Sequence, residues 1–242
     1  MSELTGKSAV VTGGGGGIGG ATCRLLAERG ASVVVADINP DAAETVAAEI
    51  GDQGGAAVAV TVDMSSEQQV RALAVTAVEH FGGIDILHNN AALTDTAPDG
   101  LLTELDMDYW DRVMATNVRG YALGVKHFVP GMIERGGGIV VNTASGAGMQ
   151  GDLVRAAYGT SKAAIIGLTR YVATQFGRFG VRCVGIAPGL IATPALAREL
   201  PPEAVDLVSS HHLTRIGRPE DIAELVAFVA SDRGSFISGT TI

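Results

Sequence analysis

Residues 145–162, "SGAGMQGDLVRAAYGTSK", contain side chains whose types and spacing can support proton transfer. Tyr158 and Lys162 are four residues apart in a strongly helical pattern, so they lie on one helix face about one turn apart. A phenol has a pKa of about 10, and a nearby ammonium group favours the phenolate and lowers that pKa. Such a tyrosine can exchange a proton with an alcohol or a carbonyl oxygen near neutral pH.

Ser145 is a third candidate catalytic residue, because it ends the apolar run "GGIVVNTAS". We expect that run to be a strand, with Ser145 at the carboxyl edge of the sheet, where doubly wound folds bind ligands. Its hydroxyl can donate a hydrogen bond to a substrate oxygen as charge develops there. Tyrosine and lysine at this spacing also occur by chance at the polar start of a helix. The serine favours the catalytic interpretation.

A glycine run, "VVTGGGGGIGG" at residues 10–20, lies between a predicted strand and a predicted helix. Glycines there permit a tight turn and let backbone N–H groups at the helix N-terminus approach a pyrophosphate. The run fits the GxGxxG spacing in two registers, which are Gly14, Gly16 and Gly19, and Gly15, Gly17 and Gly20. A flexible turn is the alternative.

Asp37 supports a dinucleotide site over a flexible turn. It ends a second apolar strand, "SVVVAD", eighteen residues after Gly19. A carboxylate in that place can accept hydrogen bonds from the hydroxyls of an adenosine ribose. A phosphate on the ribose would instead meet a like charge, so Asp37 predicts NAD as the cofactor in preference to NADP.

The chain alternates short apolar runs with longer helical patterns. The runs are "KSAVVT", "ASVVVAD", "AAVAVTVD", "IDILHNNA", "GGIVVNTAS" and "VRCVGIAPG", and residues 107–132 form one long helical pattern. Continuous apolar strands joined through helices predict a parallel sheet covered on both faces. We therefore expect a doubly wound α/β fold, the Rossmann fold, as a single domain over residues 1–242. Residues 190–217 interrupt the alternation and are interpreted as a substrate lid.

Composition limits the partners and the location of the protein. Apolar residues make up 47% and the formal net charge is −9, which disfavours nucleic acid and anionic membranes as partners. No run reaches about 18 apolar residues, so we expect a cytoplasmic protein. Cys23 and Cys183 lie far apart in apolar runs, which indicates buried free thiols and no metal site.

Several further motifs link these features to one known family. Thr12, Gly13, Gly17 and Gly19 form a TGxxxGxG pattern, "NNAA" stands at residues 89–92, and Asn117 lies in "MATNVRG". Ser145, Tyr158 and Lys162 form the candidate catalytic set. Pro188, Gly189, Ile191 and Thr193 form a PGxIxT pattern, and "RPEDIA" stands at residues 218–223. Over essentially its whole length the chain resembles the short-chain dehydrogenase/reductase family. It departs from that family at Ala92 and Val184, where glycine and asparagine are usual, and in ending at "SGTTI", before the usual final strand.

The resemblance implies a role for each matching residue. Tyr158 would be the general acid/base and Ser145 the donor that orients the substrate oxygen. Lys162 would lower the pKa of Tyr158 and hold the nicotinamide ribose, and Asn117 would position a water in a proton relay. The implied cofactor-binding residues are Gly13, Gly17, Ile18, Gly19, Asp37, Ile38, Asp63, Met64, Asn90, Ala91, Tyr158, Lys162, Pro188, Gly189, Ile191 and Thr193. Relatives that use NADP place a basic residue where this chain has Gly16 or Ile38, which again favours NAD.

The function expected from the sequence is that of an NAD-dependent oxidoreductase interconverting a secondary alcohol and a ketone. Two alternatives stay open, namely a 3-oxoacyl-thioester reductase and a non-catalytic dinucleotide-binding regulatory protein. The substrate is expected to be a small molecule in an apolar pocket, lined by Leu93, Met149, Leu153, Leu190 and Leu196, with Gln150, Arg155 and Arg198 as polar contacts. The resemblance and the apolar character of the helix after Arg155 further imply a homo-oligomer, a tetramer in many relatives.

Overall fold

A parallel sheet forms the centre of the molecule. The computed structural model describes residues 3–94, 99–193, 196 and 215–242. Six strands pair in parallel in the order β3-β2-β1-β4-β5-β6. Their bounds are β1 Ser8–Thr12, β2 Ser32–Asp37, β3 Ala57–Thr61, β4 Ile86–Asn89, β5 Gly138–Thr143 and β6 Val181–Ile186. Each of the apolar runs identified in the sequence contains one of these strands.

Helices cover both faces of the sheet. Those in the described part of the chain are α1 Gly17–Glu28, α2 Pro40–Asp52, α3 Glu67–Phe81, α4 Met107–Val113, α5 Gly120–Glu134, α6 Ala156–Phe176 and α7 Pro219–Ala230. Val11 and Val35 face a core with α1, α2 and α7, whereas Val10 and Val34 face a second core with α3, α5 and α6. The strands are apolar on both sides because both sides are covered. The predicted doubly wound, single-domain fold is therefore confirmed.

The strand order reverses beside β1, which lies between β2 and β4. In such sheets the crevice beyond the carboxyl ends of the strands at the reversal is the usual place for a ligand. The glycine run follows β1, Asn90 and Ala91 follow β4, and Ser145 follows β5. The fold thus brings three separate motifs to one edge.

The predicted long helix over residues 107–132 has a different internal geometry. Between α4 and α5 the backbone forms a π turn at Met114–Arg119. Asn117 lies in this turn and is fully buried. Such turns inside α-helices are frequent at functional sites, so the π turn indicates a functional site near Asn117.

The ends of the chain segment interpreted as a lid lie side by side. Ile191 pairs with Gly217 in an isolated parallel bridge, and the N–H of Ala192 donates to the carbonyl of Gly217 at 2.8 Å. Most of the segment, residues 194–195 and 197–214, lies outside the described residues, and so does Arg198. The lid stays a prediction.

Residues near the C-terminus extend the sheet beyond β6. The N–H of Gly185 donates to the carbonyl of Thr240 at 2.9 Å, and the N–H of Ile242 donates to Gly185 at 3.0 Å. Val184 is fully buried in the core with α7, so its place in the sheet is apolar here. Cys23 and Cys183 are buried free thiols, as expected. Within the described ranges, no helix combines the length and the apolar character needed to cross a membrane.

Candidate active site

Helix α6 and the end of β5 bring the predicted catalytic side chains together. The hydroxyl of Ser145 lies close enough to Tyr158 to lower the pKa of its phenol, and Ser145 Oγ accepts from the N–H of Ala147 at 3.2 Å. Lys162 Nζ lies 5.6 Å from the centroid of the Tyr158 ring. The three side chains, which the sequence placed at the end of one strand and on one helix, therefore form one cluster.

Lys162 is buried beside the sheet. Its Nζ donates to the carbonyl of Thr143 at 2.7 Å and lies 3.4 Å from the hydroxyl of Tyr121. Burial disfavours the charged form and lowers the pKa of Lys162 to about 7. Near neutral pH both the amine and the ammonium are populated, so this side chain can give or take a proton.

The pKa of Tyr158 differs from the sequence-based expectation. Burial raises it above the ordinary value, while the hydrogen bond from Ser145 and the charge of Arg155 act in the opposite direction. The amine of Lys162 is itself buried and donates to Thr143, and its effect on the pKa of Tyr158 stays a prediction. The spacing of the two residues indicates the effect of the ammonium charge on the phenol. It does not reveal that the Lys162 amine and the Tyr158 phenol are both buried away from water.

Asn117 connects the π turn to the catalytic helix. Its Nδ2 donates to Ser161 Oγ at 3.0 Å and to the carbonyl of Leu93 at 3.1 Å, and its Oδ1 accepts from the N–H of Leu93 at 2.7 Å. Ser161 in turn donates to the carbonyl of Tyr158 at 2.7 Å. Both amide protons are used within the protein, and the relay water at Asn117 stays a prediction.

The glycine run forms a tight loop against the start of α1. Gly13 and Gly17 have φ angles of 65° and 50°, in the left-handed region that favours glycine. A Cβ at Gly19 would overlap the carbonyl oxygen of Gly13, so only glycine permits this approach. The first turn of α1 carries no acidic side chain, and Gly16 provides no side-chain cap. The backbone N–H groups at Gly17 and Ile18 thus suit a pyrophosphate.

Asp37 lies directly beside this loop. Its Oδ2 accepts from the N–H of Gly15 at 2.9 Å, and its Oδ1 accepts from the N–H of Asn39 at 2.9 Å. Each oxygen retains a lone pair for a further donor. Ile38, next in the chain, is 68% exposed. The carboxylate is therefore held at the end of β2 in a place that fits ribose hydroxyls.

Asn90 holds the loop after β4 to the glycine loop. Its Nδ2 donates to the carbonyls of Thr12 at 3.1 Å and Gly13 at 3.3 Å, and the N–H of Ala91 donates to Thr12 Oγ1 at 3.1 Å. Asn89, the first residue of the NNAA motif, is fully buried and donates to Asn142 at 3.0 Å. Asn90 and Ala91 remain at the edge of the site.

The remaining predicted cofactor residues lie on both sides of these loops. Asp63 Oδ1 accepts from the N–H and the hydroxyl of Ser65, both at 2.8 Å, and Met64 beside it is buried. The carbonyl of Pro188 accepts from the N–H of Gly146 at 3.0 Å, which ties Pro188 and Gly189 to the loop after Ser145. A Cβ at Gly17 would lie 3.5 Å from Thr193 Cγ2, so the segment containing Ile191 and Thr193 closely approaches the glycine loop.

The chain is similar to many known proteins. A family model described as "Enoyl-(Acyl carrier protein) reductase" matches residues 13–242. A probable short-chain type dehydrogenase/reductase of Bradyrhizobium diazoefficiens is 44% identical, over 100% of this chain and 87% of the relative. A 2,5-dichloro-2,5-cyclohexadiene-1,4-diol dehydrogenase of Sphingobium indicum is 40% identical, over 100% of this chain and 96% of the relative.

The chain belongs to the short-chain dehydrogenase/reductase family. The solved structure of a 7α-hydroxysteroid dehydrogenase, in complex with NADH and 7-oxo glycochenodeoxycholic acid, superposes with a TM-score of 0.95 at 37% identity. The alignment covers 99% of this chain and 93% of that one. The resemblance inferred from the motifs is therefore confirmed, and so is the fold that it implied.

His88 is a buried residue of this short-chain dehydrogenase/reductase that the sequence did not suggest. Its Nε2 lies 2.9 Å from Thr143 Oγ1, and Thr143 Oγ1 donates to Asn90 Oδ1 at 3.3 Å. The hydroxyl proton is then committed to Asn90, so Nε2 must be the protonated ring nitrogen of His88. Burial lowers the pKa of His88 to about 3, which keeps the ring neutral. It supports Thr143, whose carbonyl accepts from Lys162.

Asp152 and Asp99 were also missed. Asp152 Oδ2 accepts from Arg155 Nε at 3.0 Å, so Arg155, expected to contact substrate, is held in an ion pair within the protein. Asp99 bonds the backbone at the start of α6. In the sequence, Asp99 lies in "PDG", which indicates only a turn, and no pattern links it to a helix some 58 residues later.

Proposed function

We propose that this short-chain dehydrogenase/reductase interconverts a secondary alcohol on a ring and the corresponding ketone, with NAD as the cofactor. The observation that carries the proposal is the cluster of Ser145, Tyr158 and Lys162 at the carboxyl edge of the sheet, beside a loop that suits a pyrophosphate. The names of two similar proteins, a cyclohexadienediol dehydrogenase and a hydroxysteroid dehydrogenase, support a hydroxyl group on an aliphatic ring.

The chain's own residues divide the work as follows. Ser145 orients the substrate oxygen through its hydroxyl. Tyr158 takes the proton of the alcohol during oxidation and returns it to the ketone oxygen during reduction. Lys162, with a pKa of about 7, exchanges protons with the relay on the other side of Tyr158. A bound nicotinamide ring would supply the hydride acceptor. Because burial raises the pKa of Tyr158, the phenol is protonated at neutral pH and oxidation should accelerate as the pH rises.

The preference for NAD rests on Asp37. Its two oxygens already accept backbone N–H groups and keep lone pairs for the ribose hydroxyls. A ribose phosphate in this place would bring like charges together, and neither Gly16 nor Ile38 supplies a cation. A misplaced charge of this kind costs a few kcal/mol, and about 1.4 kcal/mol corresponds to a factor of ten. We expect kcat/KM with NAD to exceed that with NADP by about a hundredfold or more.

One assay series tests both parts of the proposal. The purified chain is supplied with NAD or NADP and a panel of cyclohexanols and hydroxysteroids, with open-chain secondary alcohols for comparison, and reduced cofactor is followed by absorbance. We expect ring alcohols and NAD to give the highest kcat/KM. Equal or better use of NADP would show that Asp37 does not face the ribose.

A second arm tests the acyl-thioester alternative, since the description of the matching family model names an acyl carrier protein substrate. The chain is supplied with a 3-oxoacyl thioester or an enoyl thioester and reduced cofactor. Faster turnover of a thioester than of every ring ketone would replace the proposed substrate class. Cofactor binding without turnover of either class would favour a regulatory protein.

A further inference from the structure

The catalytic helix receives its N-terminal cap from a distant part of the chain. Arg155, which precedes α6, makes no side-chain cap hydrogen bond. Instead Asp99 Oδ1 accepts from the N–H of Ala157 at 3.0 Å, and Asp99 Oδ2 accepts from the N–H of Tyr158 at 2.9 Å. Both oxygens of one carboxylate thus bind the first turn of the helix, and one of the two bonds is to the proposed acid/base residue itself.

Asp99 is well placed for a rigid contact. Asp99 is only 8% exposed, and its Oδ1 also accepts from the N–H of the neighbouring Gly100 at 3.0 Å. A buried carboxylate with several backbone N–H donors is strongly held, because charged hydrogen bonds are about twice as strong as neutral ones. The negative charge also favours the positive end of the helix dipole.

Other helices of the protein are capped locally. The residue directly before the helix provides the cap on α2, α3 and α4, through Asn39, Ser66 and Asp106 respectively. A local cap fixes only the end of its own helix. A cap from residue 99 additionally fixes the start of α6 relative to Asp99 and Gly100, which precede α4. Leu93, which follows β4, binds Asn117.

We propose that Asp99 is a positioning residue for catalysis, which fixes the backbone of Tyr158 relative to Ser145 and Asn117. This inference rests on the proposed function for its effect on turnover, whereas the cap itself can be measured without turnover. Loss of the cap leaves the amides of Ala157 and Tyr158 without their acceptors and lets the first turn of α6 shift. A small displacement of an acid/base group lowers the rate of the chemical step more than the affinity for substrate.

The test compares D99A and D99N with D106A. Asp106 Oδ1 accepts from the N–H of Asp108 at 3.0 Å, so D106A removes the same type of cap from α4, a helix that does not carry Tyr158. We expect kcat of D99A to fall about tenfold to a hundredfold, with nearly unchanged KM for the alcohol. The deuterium isotope effect on kcat, measured with the alcohol labelled at its carbinol carbon, should rise because the chemical step is slowed. D99N keeps one acceptor oxygen and should lie between D99A and the wild type.

Amide hydrogen exchange gives a readout that does not depend on turnover. In D99A the amides of Ala157 and Tyr158 should exchange faster than in the wild type and in D106A. Unchanged exchange of these two amides in D99A would show that Asp99 does not cap α6. Faster exchange in D99A, together with a kcat and an isotope effect equal to those of D106A, would overturn the positioning role. If the wild type itself oxidises no alcohol of the panel, the proposed function fails, and the positioning role fails with it. The exchange data then still show whether Asp99 caps α6.

Discussion

Two cations lie near the ring of Tyr158 and affect it differently. Lys162 Nζ and Arg155 Cζ are each 5.6 Å from the ring centroid. Lys162 is buried and donates to Thr143, whereas the side chain of Arg155 is partly exposed and forms an ion pair with Asp152. The charge that lowers the pKa of Tyr158 is therefore that of Arg155, against the larger effect of burial.

Replacing Arg155 should move the pH dependence of alcohol oxidation. Oxidation needs Tyr158 as a base, so its rate rises with pH through the pKa of that residue. R155Q removes a charge that lowers this pKa, so the pKa rises and the limb of the kcat/KM profile shifts to higher pH. R155K retains a positive charge and is the matched control, with a smaller shift. A profile that is unmoved or shifted to lower pH would contradict the assignment.

At this scale the sequence predicted residue types better than their interactions. Ser145, Tyr158 and Lys162 could be selected because their spacing follows helix geometry and the end of a strand. The raised pKa of Tyr158 and the cap from Asp99 could not, because both depend on burial and on contacts between distant segments. Arg155 was expected to face substrate, and its partner Asp152 becomes evident only from the folded loop.

At the scale of elements, the strands were the most predictable part. They are apolar on both faces, so their runs are continuous and easily found. The π turn at Met114–Arg119 was not foreseen, because hydrophobic periodicity does not distinguish a single wide turn from the surrounding α-helix. The glycine run had two possible registers, and the structure assigns the close contact to Gly13 and Gly19.

The contact between the glycine loop and α1 can be tested by a substitution that adds one methyl group. G19A places a Cβ against the carbonyl oxygen of Gly13, so α1 must move away from the loop. We expect the Kd for NADH to rise about tenfold or more, since pyrophosphate binding depends on this close approach. Fluorescence titration measures the Kd, and thermal unfolding should show a lower Tm.

Gly51 provides the matched control for this substitution. It lies in α2, and a Cβ there would meet no atom within 4 Å. Alanine in place of glycine in a helix typically stabilises by about 0.5–1 kcal/mol, so G51A should keep or raise the Tm and leave the Kd unchanged. An unchanged Kd in G19A would mean that the loop does not hold the cofactor.

At the scale of the whole molecule, two large aromatic side chains are exposed. Tyr171 on α6 is 69% exposed and Phe236 near the C-terminus is fully exposed. The outward face of α6 is more polar than the sequence pattern suggested, since Arg170, Thr174 and Gln175 are also exposed. The lid over residues 190–217, the cytoplasmic location and the lack of affinity for nucleic acid and membranes stay predictions.

We expect a homotetramer in solution. Contiguous exposed apolar patches commonly mark protein interfaces, and closed symmetric assemblies are the usual form of soluble oligomers. Light scattering coupled to size exclusion should give four times the chain mass of 24.7 kDa at micromolar concentration. A single chain mass that persists as the concentration is raised would contradict this expectation.

Tyr158 is the residue on which the whole account depends. Y158F removes only the hydroxyl that would exchange a proton with the substrate. The matched control is Y171F, which removes the same atom from an exposed tyrosine toward the other end of α6. Its activity and cofactor affinity should equal those of the wild type.

The decisive measurement is the rate of NADH formation from a ring alcohol by the wild type, Y158F and Y171F, together with the Kd of each for NADH. General acid/base catalysis contributes about a hundredfold or more, so we expect kcat of Y158F to fall at least that far while NADH binds with nearly unchanged affinity. Activity of Y158F within about tenfold of the wild type would contradict the proposed role of Tyr158.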